Sequence, residues 1–226
     1  MKQWVVKLWR GWIVPLIAAV LVVGSFRTAV ADWNDVPSVS MKPTILEGER
    51  IVVNKLAYDL KFPFTRLRLA RFSEPRRGDI AILFSPADGK RLVKRVVAVP
   101  GDVIAMRDER LILNGQAVSY AAADEAAGWR RTLEPGQLLA VERLGDRTHP
   151  IAITPSERAI RSFGPVKVPD GFVFVMGDNR DRSHDSRYFG LVPIDAITGR
   201  AFAVAVSLDP HRSFLPRWER FFRALS

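Results

Sequence analysis

A mostly β domain, antiparallel in its sheets and preceded by one apolar N-terminal helix, is the fold class this sequence predicts. Three observations predict it. Residues 11–26 form an uncharged run, Gly-Trp-Ile-Val-Pro-Leu-Ile-Ala-Ala-Val-Leu-Val-Val-Gly-Ser-Phe. Beyond residue 31 the apolar residues leave helical spacing and fall in short, β-branched segments separated by Gly, Pro or charged clusters. Asn114-Gly115 directly follows Leu111-Ile112-Leu113, and that pair suits the positive φ angles of a type I′ hairpin turn. With 48% apolar residues in 226, the chain has material for a real core, which excludes a disordered polymer.

The elements follow in order. A bilayer-spanning helix needs about 20 apolar residues, and Trp4, Val5, Val6, Leu8 and Trp9 extend the run while Lys7 and Arg10 can snorkel to headgroups. Lys2, Lys7 and Arg10 precede it and only Arg27 follows closely. The positive-inside rule therefore predicts a cytoplasmic segment 1–10, a signal anchor at 11–30 and export of everything after it. A cleaved signal peptide is the alternative, with Ala29-Val30-Ala31 as its small-x-small site. Strands are expected at 50–54, 79–84, 91–99, 111–113, 138–141, 150–153, 171–176 and 201–206. Residues 119–136 are Ala-, Glu- and Arg-rich and read as irregular or partly helical. The stretch from Lys61 to Arg71, with Phe62-Pro63-Phe64, has no assignment. In 213–226, Trp218, Phe221, Phe222 and Leu225 recur at helical spacing with Arg217, Arg220 and Arg223 between them. That predicts a basic amphipathic helix, lying on a membrane or packed on the β domain, since both need the same stripe.

Composition narrows the chemistry. The net charge is +10, from 34 Lys and Arg against 24 Asp and Glu, which leaves nucleic acid and anionic membrane as partner classes. An exported domain meets little nucleic acid, so membrane lipid is the expected partner and nucleic acid is not. With no cysteine, thiolate catalysis, disulfides and Cys-ligated zinc or iron–sulfur centres are excluded. Three histidines, His149, His184 and His211, make a histidine-rich metal centre improbable. Neither a metal nor a cofactor is expected.

Four segments carry reactive groups. Pro37 and Pro43 bracket Ser38 and Ser40, so the chain there cannot continue a helix. In a strand over 91–99, Lys94 shares a face with Leu92, Val96 and Ala98, and Arg95 shares the other with Val93 and Val97. A lysine among aliphatic side chains loses hydration, its pKa falls, and the neutral amine can take a proton from a serine hydroxyl. A snorkelling edge-strand lysine is the plainer reading of Lys94 taken alone. Arg76-Arg77-Gly78-Asp79 reads as a turn into a strand. The loop from Gly177 to Gly190 packs Asp178, Asn179, Arg180, Asp181, Ser183, His184, Asp185 and Arg187 together, and must bond internally or be solvated. A Ser/His/Asp relay through His184 and Asp185 is disfavoured, because adjacent residues point differently.

Taken in order, Ser38-x-Ser40-Met41-x-Pro43-Thr44, Arg77-Gly78-Asp79, Lys94-Arg95 with Pro100-Gly101-Asp102, and Gly177-Asp178-Asn179-x-Asp181-x-Ser183-x-Asp185-Ser186-Arg187 resemble the signature boxes of the bacterial type I signal peptidase family. The likeness spans roughly residues 36–205. It implies a membrane-bound Ser/Lys endopeptidase of the inner membrane that removes signal peptides from exported preproteins after small residues at Ala-x-Ala sites. It further implies Ser40 as nucleophile, Lys94 as general base, and Ser38 with the Ser40 backbone N–H as oxyanion hole. Ser183 would orient Lys94, with Asp185 and Arg187 supporting the last box. Val36, Pro37, Met41, Leu92 and Val93 would line pockets for the P1 and P3 residues. The same resemblance implies a catalytic domain in two pieces, 31–108 and 170–212, with a small inserted β-rich subdomain at 109–169. Two other readings are a specialised processing peptidase of the same clan and a non-enzymatic membrane-tethered β-rich binding module. The second leaves the serine and lysine boxes without purpose.

Overall fold

The computed structural model describes residues 9–16, 24, 31–61, 68–121 and 123–225. Its strands, in chain order, are β1 (Ala31–Val36), β2 (Glu49–Asn54), β3 (Asp59–Lys61), β4 (Arg68–Arg71), β5 (Ile80–Phe84), β6 (Arg91–Ala98), β7 (Val103–Arg107), β8 (Arg110–Leu113) and β9 (Gln116–Ala117). There follow β10 (Ser119–Ala121), β11 (Leu138–Leu144), β12 (Arg147–Ile153), β13 (Phe163–Lys167), β14 (Phe172–Met176), β15 (Val192–Pro193), β16 (Ile197–Asp209) and β17 (Leu215–Pro216).

Among the described residues the main sheet runs β1-β2-β16-β5-β6-β14-β15, with β17 added to β16. Its strand pairs are antiparallel throughout. β2 alternates strictly, with Glu49, Ile51 and Val53 inward, whereas β5 and β14 are almost wholly buried apolar runs, as central strands covered on both faces should be. The buried residues fall into three clusters. One centres on Val36, Met41, Ile45, Ile51 and Val204, a second on Leu83, Val96, Val175 and Val192, and a third on Val97, Ile104, Leu111, Phe174 and Met176.

Between β6 and β14 the chain builds two smaller antiparallel sheets, β13-β7-β8-β9 and β10-β11-β12. The expected hairpin at Asn114-Gly115 joins β8 to β9, with φ of 53° and 81°. Residues 123–132 form a 3-10 helix, so the partly helical reading of that stretch holds. β3 and β4 pair with each other; residues 62–67, the middle of the unassigned 61–71 stretch, lie outside the described residues.

Among the described residues no helix is long and apolar enough to cross a membrane. The predicted anchor at 11–30 lies mostly outside those residues, which here include only a short helical segment at 9–16 and residue 24. The C-terminal segment is not the predicted amphipathic helix. It places Leu215–Pro216 against β16, makes a 3-10 turn at Trp218–Arg220, and bridges Ala224 to Ala203. The helical stripe was outbid by a buried charge. Arg220 is 3% exposed and is drawn inward by the fully buried Glu49, which also accepts from Ser207, and it donates to the Thr44 carbonyl at 2.9 Å. Phe222 then takes a positive φ of 56°, which no α-helix tolerates.

Candidate active site

Ser40 occupies the middle of a 3-10 turn, Val39–Met41, where the prolines on either side forbid a longer helix. The loop after β14 pins that turn. Asn179 donates its backbone N–H to the Ser40 carbonyl at 3.1 Å and its side-chain amide to the Val39 carbonyl at 3.0 Å. Lys94 projects from β6 into the interior and is 2% exposed, with Nζ 2.6 Å from Ser40 Oγ. Burial disfavours the ammonium and brings its pKa down to about 8. The carboxylates of Asp185 and Asp178 pull it back up, and the Arg187 guanidinium pushes it down. The sequence places Lys94 between aliphatic neighbours on one strand face, and the desolvation argued from that pattern is what the structure contains. Ser38 Oγ lies 3.3 Å from Ser40 Oγ.

The other predicted residues of the 177–190 loop come to the same place. Asp185, fully buried, accepts from Arg187 Nε at 2.8 Å and from the Gly177 backbone N–H at 3.0 Å. Burial raises its carboxyl, but the hydrogen bonds and charge of Arg187 outweigh that, and the net shift is downward. Arg187 also caps the Arg180 carbonyl at 2.5 Å. Ser183 is buried and, among the described residues, its hydroxyl makes no hydrogen bond of normal geometry, to Lys94 included. Its nearest polar influence is on the Asp185 carboxylate, which it helps to lower. Gly177 is required by close approach: a Cβ there would sit 2.3 Å from Ser183 Oγ and 2.4 Å from the Ser40 carbonyl oxygen. His184 is exposed and stacks on Tyr188 at 5.1 Å, away from a Ser/His/Asp relay.

Beneath the dyad lies a charged layer that reading the sequence did not assign. Arg95, 1% exposed, makes a two-pronged pair with Asp178, both contacts at 2.8 Å, and donates to the Gly78 carbonyl at 2.8 Å. Thr44 also donates to Asp178. Glu142 of β11, fully buried, accepts from Arg180 at 2.5 Å and from the Tyr120 hydroxyl at 2.8 Å, with His149 Nε2 3.3 Å away. Burial, with the positive charge of Arg95, holds the His149 pKa below its usual range. The available signal was Arg95 itself, since an arginine on an apolar strand face demands a carboxylate partner. Nothing local marked Glu142 or His149. The remaining boxes are structural pins: Arg77 pairs with Asp102, and Asp79 gathers the Tyr58 hydroxyl at 2.9 Å and Arg147 at 2.7 Å.

A groove of about 210 Å³ leads away from Ser40. On one side stand Asn34, Asp35, Val36, Pro37 and Ser38, and on the other Lys90, Arg91, Leu92 and Val93, with Ile82 between. Of the residues expected to form pockets, Val36, Pro37, Leu92 and Val93 line it. Met41 does not; it is fully buried in the core cluster around Val36 and Ile51. Among the described residues both walls have open backbone edges. β1 ends the sheet order, and β14 pairs with β6 only from Arg95 onward. A neutral amine at hydrogen-bond distance from a hydroxyl, at the end of a groove with two strand edges, can activate that hydroxyl against an extended peptide.

Comparison with known proteins finds likenesses over most of the chain. The family model described as signal peptidase, peptidase S26, matches residues 9–206. The chain is 37% identical over 219 residues to signal peptidase I of Pseudomonas fluorescens, covering 91% of this chain and 75% of that protein. It is 36% identical over 223 residues to signal peptidase I of Pseudomonas aeruginosa, with the same coverage. Signal peptidase I of Bacillus caldolyticus is 35% identical over 191 residues, which is 84% of this chain and 87% of that one.

Proposed function

The chain belongs to the peptidase S26 signal peptidase family, and from that premise we propose that it cleaves signal peptides from exported preproteins by a Ser40/Lys94 dyad. The observation that carries the reading is the 2.6 Å contact between a buried, depressed-pKa lysine and a serine at the head of a groove. The neutral Lys94 amine accepts the Ser40 hydroxyl proton as Oγ attacks the scissile carbonyl. Ser38 and the Ser40 backbone N–H stabilise the oxyanion. The Lys94 ammonium then returns its proton to the leaving amine, and water, activated by the same lysine, hydrolyses the acyl-enzyme. Arg187 and Asp185 hold the 177–190 loop against this centre, and we assign the buried Ser183 hydroxyl of that loop to orienting the Lys94 amine.

Small residues at P1 and P3 are selected because Val36, Leu92, Val93 and Ile82 leave a shallow wall. Residues 11–30 anchor the enzyme in the cytoplasmic membrane with residues 1–10 inside and the β domain on the exported face, where signal peptides present their cleavage sites. Ser40 is only nine residue steps from Ala31, a reach of about 30 Å at roughly 3.3 Å per residue, so the chain itself keeps the nucleophile near the bilayer.

The test is incubation of the detergent-solubilised full chain with a preprotein bearing an Ala-x-Ala site, followed by N-terminal sequencing of the product. Wild type should cleave after the second alanine, while Ser40→Ala and Lys94→Ala should not cleave at all. Turnover by either alanine variant would overturn the dyad.

A further inference from the structure

The groove changes character along its length. Next to Ser40 its walls are Val36, Pro37, Leu92 and Val93; farther away they are Asn34, Asp35, Lys90 and Arg91. β1 and β6 both run toward the catalytic end with increasing residue number, because three antiparallel strands lie between them in the sheet. An extended substrate whose scissile bond meets Ser40 runs the same way when the residues on the N-terminal side of that bond fill the groove, as the P1 and P3 assignment above requires. Side chains on one face of a strand recur every second residue. Asn34 thus shares the face of Val36, both being buried, and Arg91 shares the face of Val93. If Val36 and Val93 flank the P3 side chain, a step of two residues, about 6.6 Å, brings P5 to Asn34 and Arg91.

Both residues have free capacity there. Asn34 is 6% exposed, and its buried side-chain oxygen accepts no hydrogen bond. A buried acceptor left unpaired is costly, and a donor from a bound peptide would relieve that cost. Asp35 is not available as a counter-charge, since Arg50 holds it at 2.6 Å, and Lys90 meets Asp88 at 2.9 Å. Arg91 is exposed and, among the described residues, has no carboxylate partner.

We propose that the far end of this groove is a polar subsite for the P5 residue, in which Arg91 selects an acidic side chain and Asn34 accepts a hydrogen bond from the substrate. Small apolar pockets set where the bond is cut; the polar end grades which signal peptides bind well. The inference rests on the peptidase reading above.

The experiment uses the detergent-solubilised full chain and fluorogenic peptides with Ala at P1 and P3 and either Asp, Ser or Lys at P5, beside a truncated series beginning at P3. Wild type should prefer Asp over Lys at P5 by roughly three- to tenfold in kcat/KM at low salt, through KM, the size expected of an exposed ion pair against a like-charge contact. Arg91→Ala should level the series, and Arg91→Glu should invert it. Added salt should shrink the preference. Asn34→Ala should raise KM for the long peptides and leave the truncated series unchanged. An Asp-to-Lys ratio untouched by Arg91→Glu, or an Asn34→Ala effect equal on long and truncated peptides, would overturn the subsite while leaving the peptidase reading in place. Failure of wild type to cleave any long peptide would overturn the peptidase reading and the subsite with it.

Discussion

Lys94 should give the enzyme a basic limb centred near pH 8, because its neutral form is the one that can accept the Ser40 proton. Burial brings its pKa from the ordinary 10.5 to about 8. At pH 7 that leaves roughly a tenth of the enzyme with a neutral base, against about 0.03% for an unshifted lysine, a gain of some 300-fold. The rate should climb by about a factor of ten per pH unit below 8 and level off above it, so pH 6 and pH 9 should differ by roughly 90-fold. The assay is kcat against pH with a short Ala-x-Ala peptide, with enzyme preincubated at each pH and returned to pH 8 to exclude denaturation. Arg187→Met should move the limb to higher pH, since its cation helps to hold the ammonium off and its loss frees the Asp185 carboxylate to favour the charged amine. Lys94→Arg should be inactive throughout, because a guanidinium keeps its proton. A rate flat from pH 6 upward would assign the base to another group. A limb near 10.5 would mean that Lys94 is hydrated in solution and that the desolvation argument is wrong.

The buried ammonium also carries a stability cost. The folded pKa lies below the unfolded one, so the folded state is penalised below pH 8 by about 3 kcal/mol, and that penalty fades as pH rises from 8 to 10.5. Lys94→Met should therefore be dead but more resistant to urea than wild type at pH 7, with the difference vanishing near pH 10.5. Gly177→Ala should lower kcat by about 10²-fold or more, because its Cβ would displace the Ser40 carbonyl and Ser183; single-turnover kinetics would show the loss in the acylation step. Asp178→Asn removes the carboxylate charge that the buried Arg95 guanidinium engages at two points, and urea unfolding should register a loss of roughly 3–5 kcal/mol.

Much of this protein was legible in one dimension. The β class followed from period-two segments, and the Asn114-Gly115 turn from the φ demands of two residues. These are local properties, set by sterics within a few bonds. The low pKa of Lys94 was legible for a similar reason, since alternation along one strand already surrounds it with Leu92 and Val96. What escaped were the effects that need distant partners. Arg220 sits in a helical stripe that the sequence repeats faithfully, yet Glu49, far away along the chain, draws it into the core, and burial of that ion pair decided the local conformation. Met41 reads as a groove residue beside Ser40, but the 3-10 turn faces it into the core instead. Glu142 and His149 meet Arg180 and Asp178 only because the β10-β11-β12 sheet folds back over the 177–190 loop. The Ser40 to Lys94 distance itself, and the two strand edges that make the groove, arise from chain pairing across many residues. Periodicity and turn chemistry are written residue by residue, whereas charge pairing and close approach are settled only when the tertiary structure brings remote segments together and removes water from between them.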